Sequence, residues 1–330
     1  MHLYSVIIPV YNRPDEVRDL LRSLVCQNNR KFEVIIVEDG SAKDCRTIVE
    51  DFSVELPIKY LWQPNSGPGP ARNAGAHEAG GEWLIFFDSD CIIPPNYFVE
   101  LDEALKKIQF DAYGGPDKAH KDFSKIQKAI DYSMTSFLTT GGIRGGQQSF
   151  EKFKPRSFNM GMKRSLFDQV GGFSPLRFGE DIDMSLKLEK AGAKSVLVAG
   201  AFVYHKRRVS FKTFFKQVFN SGVARIILNK LHPKSLRIVH LLPSAFVLFH
   251  VILCFMVIIK PVLAYILLLF PVIIFLDSSF KTKNPITGVL AIISSYVQLT
   301  GYGVGFLKAW CQHYVLKKEI NYAFRDNFYK

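Results

Sequence analysis

Asp88 and Asp90 stand one residue apart, directly after the apolar run Leu84-Ile85-Phe86-Phe87. That run predicts a short buried strand, so both carboxylates fall where the strand ends. A carboxylate pair at the mouth of a parallel sheet suits a hard divalent cation, Mg²⁺ or Mn²⁺. Such an ion takes few protein carboxylates and completes its shell with phosphate oxygens and water. Open α/β sheets bind ligands at this carboxyl edge. An Asp-x-Asp pair equally fits a capping turn before Pro94-Pro95, so the neighbouring segments must separate the two.

Those segments read as strands alternating with helices. Leu3 to Val10 is apolar and ends in Pro9-Val10-Tyr11-Asn12, and Val17, Leu20, Leu21 and Leu24 then follow at helical spacing. Phe32 to Val37 is a second apolar run, ending in Glu38-Asp39-Gly40-Ser41. Ile58 to Trp62 is a third, followed by a loop and helix start at Gly67-Pro68-Gly69-Pro70-Ala71-Arg72-Asn73-Ala74-Gly75. The pattern predicts an α/β fold with parallel βαβ units and with polar residues gathered at the strand ends.

Several of these residues could do chemistry. Asp39 follows a strand and precedes Gly40, so its carboxylate can face a cleft and accept from an imide N–H or a ribose hydroxyl. It can equally cap a helix near Ala42. Arg72, at a helix start beside backbone amides, favours phosphate, or is a solvated surface arginine. Gly179-Glu180-Asp181-Ile182-Asp183 opens another helix. Its acids suit the helix N-terminus, and one of them can serve as a base if it points into the cleft. His205 ends the apolar run Ser195 to Tyr204, as a ligand or a packing residue. Asn159 is a candidate on the acceptor side, and Gly141 to Gly146 is a candidate loop over substrate or a plain connection.

Pro9-Val10-Tyr11-Asn12, Val37-Glu38-Asp39-Gly40-Ser41, Ala71-Arg72-Asn73-Ala74-Gly75, Asp88-Ser89-Asp90 and Gly179-Glu180-Asp181 occur in this order. Together, over roughly the first 205 residues, they resemble the family 2 inverting glycosyltransferases with the GT-A fold. One departure is Glu38, where many relatives carry Asp. The resemblance implies a Rossmann-like nucleotide-sugar-binding domain with a mainly parallel sheet, and a UDP- or GDP-sugar donor. It implies donor contacts at Pro9, Tyr11, Asp39, Arg72 and Asp88, and a divalent cation, Mn²⁺ or Mg²⁺, at Asp90. His205 is a further metal or diphosphate candidate. Asp181 becomes the base, and Glu180 shapes the pocket beside it.

Composition changes after residue 205. From His205 through Arg237 there are nine Lys or Arg and no Asp or Glu, with Phe211, Phe214, Phe215, Val218 and Phe219 at helical spacing. A basic, aromatic amphipathic helix is expected to lie in a headgroup layer. Nucleic acid is the competing partner for such charge, and it is discounted because membrane-like sequence follows. Val239 to Ile259, Val262 to Leu276 and Ile286 to Leu307 are apolar runs, the first long enough to span a bilayer. Lys260-Pro261 makes the first two a hairpin. Flanking bases place the catalytic part and the Lys281–Lys283 loop in the cytoplasm. Three full spans would put Lys317 and Lys318 outside, against that tendency, unless one segment is re-entrant or interfacial.

The expected organisation is a GT-A catalytic domain over 1–205, a basic interfacial segment over 206–237, hydrophobic helices over 238–310 and a basic tail over 311–330. A cut near Arg208 is expected to release a more soluble catalytic part. The formal charge of +12 gathers at the membrane junction, where anionic lipid or a pyrophosphate-linked acceptor would meet it. The five cysteines form no Cys-x-x-Cys pair, which argues against zinc and a disulfide framework. A first strand at residue 3 leaves no room for a cleavable signal peptide.

The expectation is a multi-pass inner-membrane enzyme with its catalytic domain facing the cytoplasm. It moves one sugar to a lipid-linked or glycan acceptor in cell-surface polysaccharide or glycoconjugate synthesis. The alternatives are a polyprenyl-phosphate sugar synthase, and a non-catalytic membrane scaffold that retains the fold. A processive synthase is disfavoured by the lack of a Gln-x-x-Arg-Trp motif.

Overall fold

The structure, a computed structural model, describes residues 3–118, 123–140, 153–205 and 209–318. Gly141 to Gly146 lie outside the described residues. The chain forms two compact units: 3–118 and 153–205 belong to one, and 123–140 and 209–318 to the other.

The first unit is the α/β domain. Its first half runs β1 (Tyr4–Val10), α1 (Pro14–Val25), β2 (Phe32–Asp39), α2 (Arg46–Phe52), β3 (Ile58–Gln63), α3 (Pro68–Glu78) and β4 (Trp83–Phe87). β5 (Cys91–Ile92), α4 (Tyr97–Lys107), β6 (Ala112–Gly114) and β7 (Asp117–Lys118) follow. After α5 (Lys125–Thr135) and α6 (Phe137–Thr140), which belong to the second unit, come β8 (Asn159–Lys163), α7 (Arg164–Val170), α8 (Glu180–Lys190), β9 (Ser195–Leu197) and β10 (Val203–His205).

The main sheet has the order β3-β2-β1-β4-β8-β6-β9. β3, β2, β1 and β4 are parallel, as the alternating pattern predicts, and β8 enters antiparallel to both β4 and β6. The central strands are buried on both faces, which explains their unbroken apolar runs. Val6, Ile8, Val34, Ile36, Ile85 and Phe87 enter one core, with Val17, Leu20 and Leu24 of α1 and Phe98 and Leu101 of α4. Ile7, Ile35, Val37, Leu84 and Phe86 enter the other, with Ala71 of α3, Phe167 of α7 and Met184 and Leu188 of α8. Gly75 lets α3 lie close to the sheet, since a Cβ there would stand 2.6 Å from Ile7 Cγ2. A second sheet, β5-β10-β7, sits just beyond the end of β4.

The second unit is helical. It joins α5 and α6 to α9 (Phe211–Leu231), α10 (Leu242–Ile259), α11 (Ala264–Thr282) and α12 (Pro285–Trp310). α9 is longer than the basic-aromatic stretch alone, and its apolar face has a protein partner: Phe214 and Val218 are buried with Ile130 and Met134 of α5. Lys212, Phe215 and Lys216 remain exposed. Ala129 and Tyr132 of α5 pack with Ile274 of α11 and Ala291 of α12. Inclusion of α5 changes the expectation for a cut near Arg208, because such a cut removes every helix that covers the α5 apolar face.

Among the described residues, three segments are long and apolar enough to cross a membrane: Leu242–Ile259, Pro261–Thr282 and Pro285–Val315. Only 11% of each of the first two is buried, against 44% of the third. Phe249, Ile252 and Phe255 of α10 and Leu268, Leu269 and Leu276 of α11 are exposed. Apolar side chains turned outward along whole helices are the reverse of a water-soluble bundle.

Candidate active site

The functional edge is built where β4 stops. Asp88 and Asp90 follow Phe87, and Cys91 begins β5. β5 pairs antiparallel with β10, setting His205 opposite Cys91 and Tyr204 opposite Ile92. That register brings His205 Nε2 to 3.0 Å from Asp90 Oδ1. β10 also pairs with β7, and Asp117 Oδ2 lies 3.9 Å from His205 Nδ1. The Phe158 ring stacks on the imidazole at 4.9 Å between centroids. Burial alone would lower the His205 pKa, but the Asp90 and Asp117 carboxylates outweigh it and raise it to about 9.

Asp90, Cys91 and His205 could between them hold a metal ion, their ligand atoms lying within 4.8 Å of one another. The donor chemistry divides the three. The Cys91 thiol donates to Phe158 O at 3.4 Å, and burial pushes its pKa up, with Asp90 and Asp88 adding to the rise. A protonated core thiol does not suit a hard cation. Asp90 and His205 do fit, with carboxylate and imidazole donors matching Mn²⁺ better than Mg²⁺. Asp117 on the far side of the ring is where a carboxylate orients a ligating histidine.

Arg72 is the fifth residue of α3 rather than a member of its first turn. Its guanidinium is buried, donating from Nη2 to Asp88 Oδ1 at 2.7 Å and from Nη1 to Glu180 Oε1 at 3.1 Å. It also lies 5.3 Å from the Phe173 ring centre. Arg72 thus joins the end of β4 to the start of α8, and it is not the exposed arginine of the surface alternative. Burial opposes its charge, but the two carboxylates prevail and raise its pKa. Burial pushes the Glu180 carboxyl up to about 7, with Arg72 opposing and Asp181 and Asp88 reinforcing the rise.

α8 begins at Glu180 because Gly179, at φ +80°, turns the chain in the left-handed region that glycine favours. Asp181 Oδ2 is 3.3 Å from Arg156 Nε, and its Oδ1 accepts from Ile182 N–H at 2.8 Å. Asp183 points away into the protein, accepting from Ser174 Oγ at 2.7 Å with Lys187 Nζ at 3.4 Å.

Asp39 does not cap α2. Its carboxylate accepts from Gln63 Nε2 at 2.6 Å and from Ser66 and Gly67 N–H at 2.9 and 2.8 Å, holding the loop that leads into α3. Burial raises its pKa, and those three hydrogen bonds oppose the rise. Glu38 serves α2 instead, accepting from Cys45 N–H at 2.8 Å, a reach for which its extra methylene is used. Pro9 lies in β1 opposite Val37, and Tyr11 is the first residue after that strand, half-buried. Asn159 is fully buried, accepting from Tyr97 Oη at 2.6 Å and donating to Ala201 O at 2.8 Å. Its amide is thus engaged within the protein on both its oxygen and its nitrogen.

Three residues escape the sequence reading. Arg13 Nη1 donates to Asp90 Oδ2 at 2.7 Å, Arg156 meets Asp181, and Asp117 faces His205. None lies in a recognisable motif. Only the position of Arg13, directly after the Pro9–Asn12 strand end, hinted at a place on the functional edge.

Comparison with known proteins bears on the family and the fold. Residues 5–178 match the model of glycosyl transferase family 2. An uncharacterized glycosyltransferase of Haemophilus influenzae is 32% identical over 195 residues, covering 56% of this chain and 62% of that protein. The uncharacterized glycosyltransferase EpsJ of Bacillus subtilis is 32% identical over 212 residues, covering 62% of this chain and 61% of its own length. The chain therefore spans less than two thirds of either relative. Among solved structures, a mannosyltransferase from Pyrobaculum calidifontis, in complex with GDP-Man and Mn²⁺, superposes with a TM-score of 0.65. It is 15% identical and covers 89% of this chain and 86% of that one, a likeness of fold. With a GT-A fold and a family match over more than half of its 330 residues, the chain belongs to glycosyltransferase family 2.

Proposed function

We propose that the protein is a membrane-anchored, inverting glycosyltransferase. It moves one sugar from a UDP- or GDP-sugar to a lipid-linked or glycan acceptor, in cell-surface polysaccharide or glycoconjugate synthesis. The observation that carries this reading is the Arg72 bridge. One buried guanidinium touches Asp88, beside the cation ligands, and Glu180, beside the proposed base. Donor chemistry and acceptor chemistry thereby meet within the span of a single side chain.

In this reading Asp39, with Pro9 and Tyr11 at the end of the adjoining strand β1, contacts the nucleobase or ribose while holding its loop. Asp90 and His205 would hold a divalent cation with Asp88 beside them, and the bound ion would supply positive charge to neutralise a departing diphosphate. Arg72 keeps Asp88 and Glu180 in place and adds fixed positive charge in a dry setting. Asp181 accepts the proton of the acceptor hydroxyl. The hydroxyl oxygen forms the new bond to the anomeric carbon from the face opposite the diphosphate. The sugar–phosphate bond breaks, and the nucleoside diphosphate leaves with the electron pair.

α10 and α11 form a membrane hairpin. The basic residues before α10, with Lys281 in the last turn of α11 and Lys283 just after it, favour the cytoplasm for both of its ends and for the catalytic unit. A second reading, the polyprenyl-phosphate sugar synthase, has one observation in its favour. Arg156 beside Asp181 suits an acceptor that is already a phosphate anion.

The test uses the full chain in lipid nanodiscs, with a panel of UDP- and GDP-sugars, Mn²⁺ and lipid-linked acceptors. Nucleoside diphosphate release and the anomeric configuration of the product by NMR are measured. Release with an inverted product is expected. Retained configuration, or donor binding with no release, would overturn the reading, and the second of these would favour a scaffold.

A further inference from the structure

Asp90 is held on both of its oxygens. His205 approaches Oδ1 at 3.0 Å, and Arg13 donates to Oδ2 at 2.7 Å. Arg13 is the residue just before α1, and Asn12 beside it adopts φ +54° as the chain leaves β1. Its side chain is 34% exposed, while that of Asp90 is 11% exposed. Among the described residues, Asp90 is the only hydrogen-bond partner of this guanidinium.

An ion pair with one partner so exposed adds little stability, so stability is a poor account of the contact. Its position is more telling. A guanidinium on the carboxylate that would ligate a divalent cation opposes that ion through its charge and engages lone pairs of the same group. Arg13 ends a flexible, partly solvated stem and can turn away without disturbing a core. A diphosphate is the natural destination, because the planar guanidinium fork matches phosphate oxygens in a bidentate way.

We propose that Arg13 is an exchangeable counter-ion of the cation site. It competes with the divalent ion for Asp90, and the diphosphate of the donor relieves that competition by taking Arg13. Cation and nucleotide then bind as a coupled pair, and metal is drawn in chiefly when a donor is present. This rests on the reading that Asp90 holds the cation next to the diphosphate. It adds a residue outside the segments on which the sequence reading rested.

The experiment is a Mn²⁺ titration followed by the EPR signal of unbound Mn²⁺. It uses the full chain in nanodiscs, with and without UDP or GDP, against protein-free nucleotide controls. Wild-type protein should bind Mn²⁺ weakly alone and about tenfold or more tightly with the matching nucleotide, a usual size for such coupling. Arg13→Gln should bind Mn²⁺ alone several-fold more tightly than wild type and lose most of the nucleotide-induced gain. Arg13→Lys, which keeps the charge, should stay near wild type for Mn²⁺ alone. Unchanged Mn²⁺ affinity and unchanged coupling in a folded Arg13→Gln would overturn the inference alone. If the wild type takes up no Mn²⁺ even with nucleotide, the cation role of Asp90 falls first, and this inference with it.

Discussion

His205 Nε2 lies 3.0 Å from Asp90 Oδ1, although the two residues are far apart in the chain. The pairing is produced by two very short strands, β5 and β10, whose register sets His205 across from Cys91. The proposed ligand pair is thus positioned by strand pairing, and Phe158 stacks on the imidazole ring.

Removing either member should therefore act on metal. Asp90→Asn should lower transfer by orders of magnitude and abolish metal-dependent donor binding. His205→Ala should weaken Mn²⁺ binding by about tenfold or more, the scale seen when a ligand set is disturbed. Calorimetric donor affinity with and without Mn²⁺ checks both. Near-normal turnover of the wild type in EDTA would sink the cation assignment.

Asp181 and Asp39 should separate chemistry from binding. Asp181→Asn keeps the shape but cannot take a proton at neutral pH, so transfer should fall by about 10²–10⁴-fold while donor affinity survives. Asp39→Ala should weaken donor affinity and leave more of the turnover at saturation, because it also loosens the Ser66–Gly67 loop. Wild-type transfer by Asp181→Asn would point to a phosphate acceptor, or to Glu180 as base.

Glu180 carries a pH signature. Burial pushes its carboxyl up to about 7 from an ordinary 4.5, against the pull of Arg72. The native state therefore binds this proton more tightly than the unfolded chain does. The associated stability is fully present below about pH 4.5 and is lost as pH rises through about 7. Glu180→Gln removes the titration. The melting temperature of wild type relative to Glu180→Gln should fall between pH 5 and 8. A rising difference would show that the Arg72 pairing dominates instead.

In the helical unit, α9 and α12 approach through glycines. A Cβ on Gly222 would stand 2.2 Å from Tyr302 O, and one on Gly305 would stand 2.2 Å from Phe219 O. Close contacts of this kind are how helices associate in lipid. Gly222→Leu should separate the helices and destabilise the unit by at least the about 1–3 kcal/mol typical of overpacking. Thermal melting and protease resistance in detergent would record it, and a neutral result would show that the pair can re-seat.

The helices also decide where the chain can be cut. A 1–208 fragment exposes Ala129, Ile130, Tyr132 and Met134, all buried within the helical unit. It should aggregate on size exclusion, and Ile130→Lys with Met134→Lys should recover soluble protein. A monomeric 1–208 fragment without those changes would show that α5 can fold back onto other surface.

The sequence by itself determined the elements and the edge on which the chemistry gathers. Short unbroken apolar runs bounded by turn residues predict strands buried on both faces, and a strand that stops places its next polar residues at the rim. Asp39, Asp88 and Asp90 were legible for that reason, and Glu180 and Asp181 because an acidic cluster after Gly179 marks a helix start. The apolar helices α10 and α11 were legible because long continuous apolar runs meet the length and composition that a membrane span needs. What the tertiary structure alone decided is which side chains meet. Two- and three-residue strands carry no periodicity, so the β5–β10 register that joins His205 to Asp90 leaves no local trace. An arginine reaches several ångströms along any of several rotamers, so its partner is set by the packing around it. Arg72 was read as a phosphate contact and lies buried between two carboxylates, while Arg13 and Arg156 were not read at all. Asn159 looked available and is enclosed by Tyr97 and Ala201, and α5, placed by sequence among catalytic residues, belongs to the helical unit. Contacts between distant segments depend on the shape of the whole chain, and a local pattern of residue types cannot encode them.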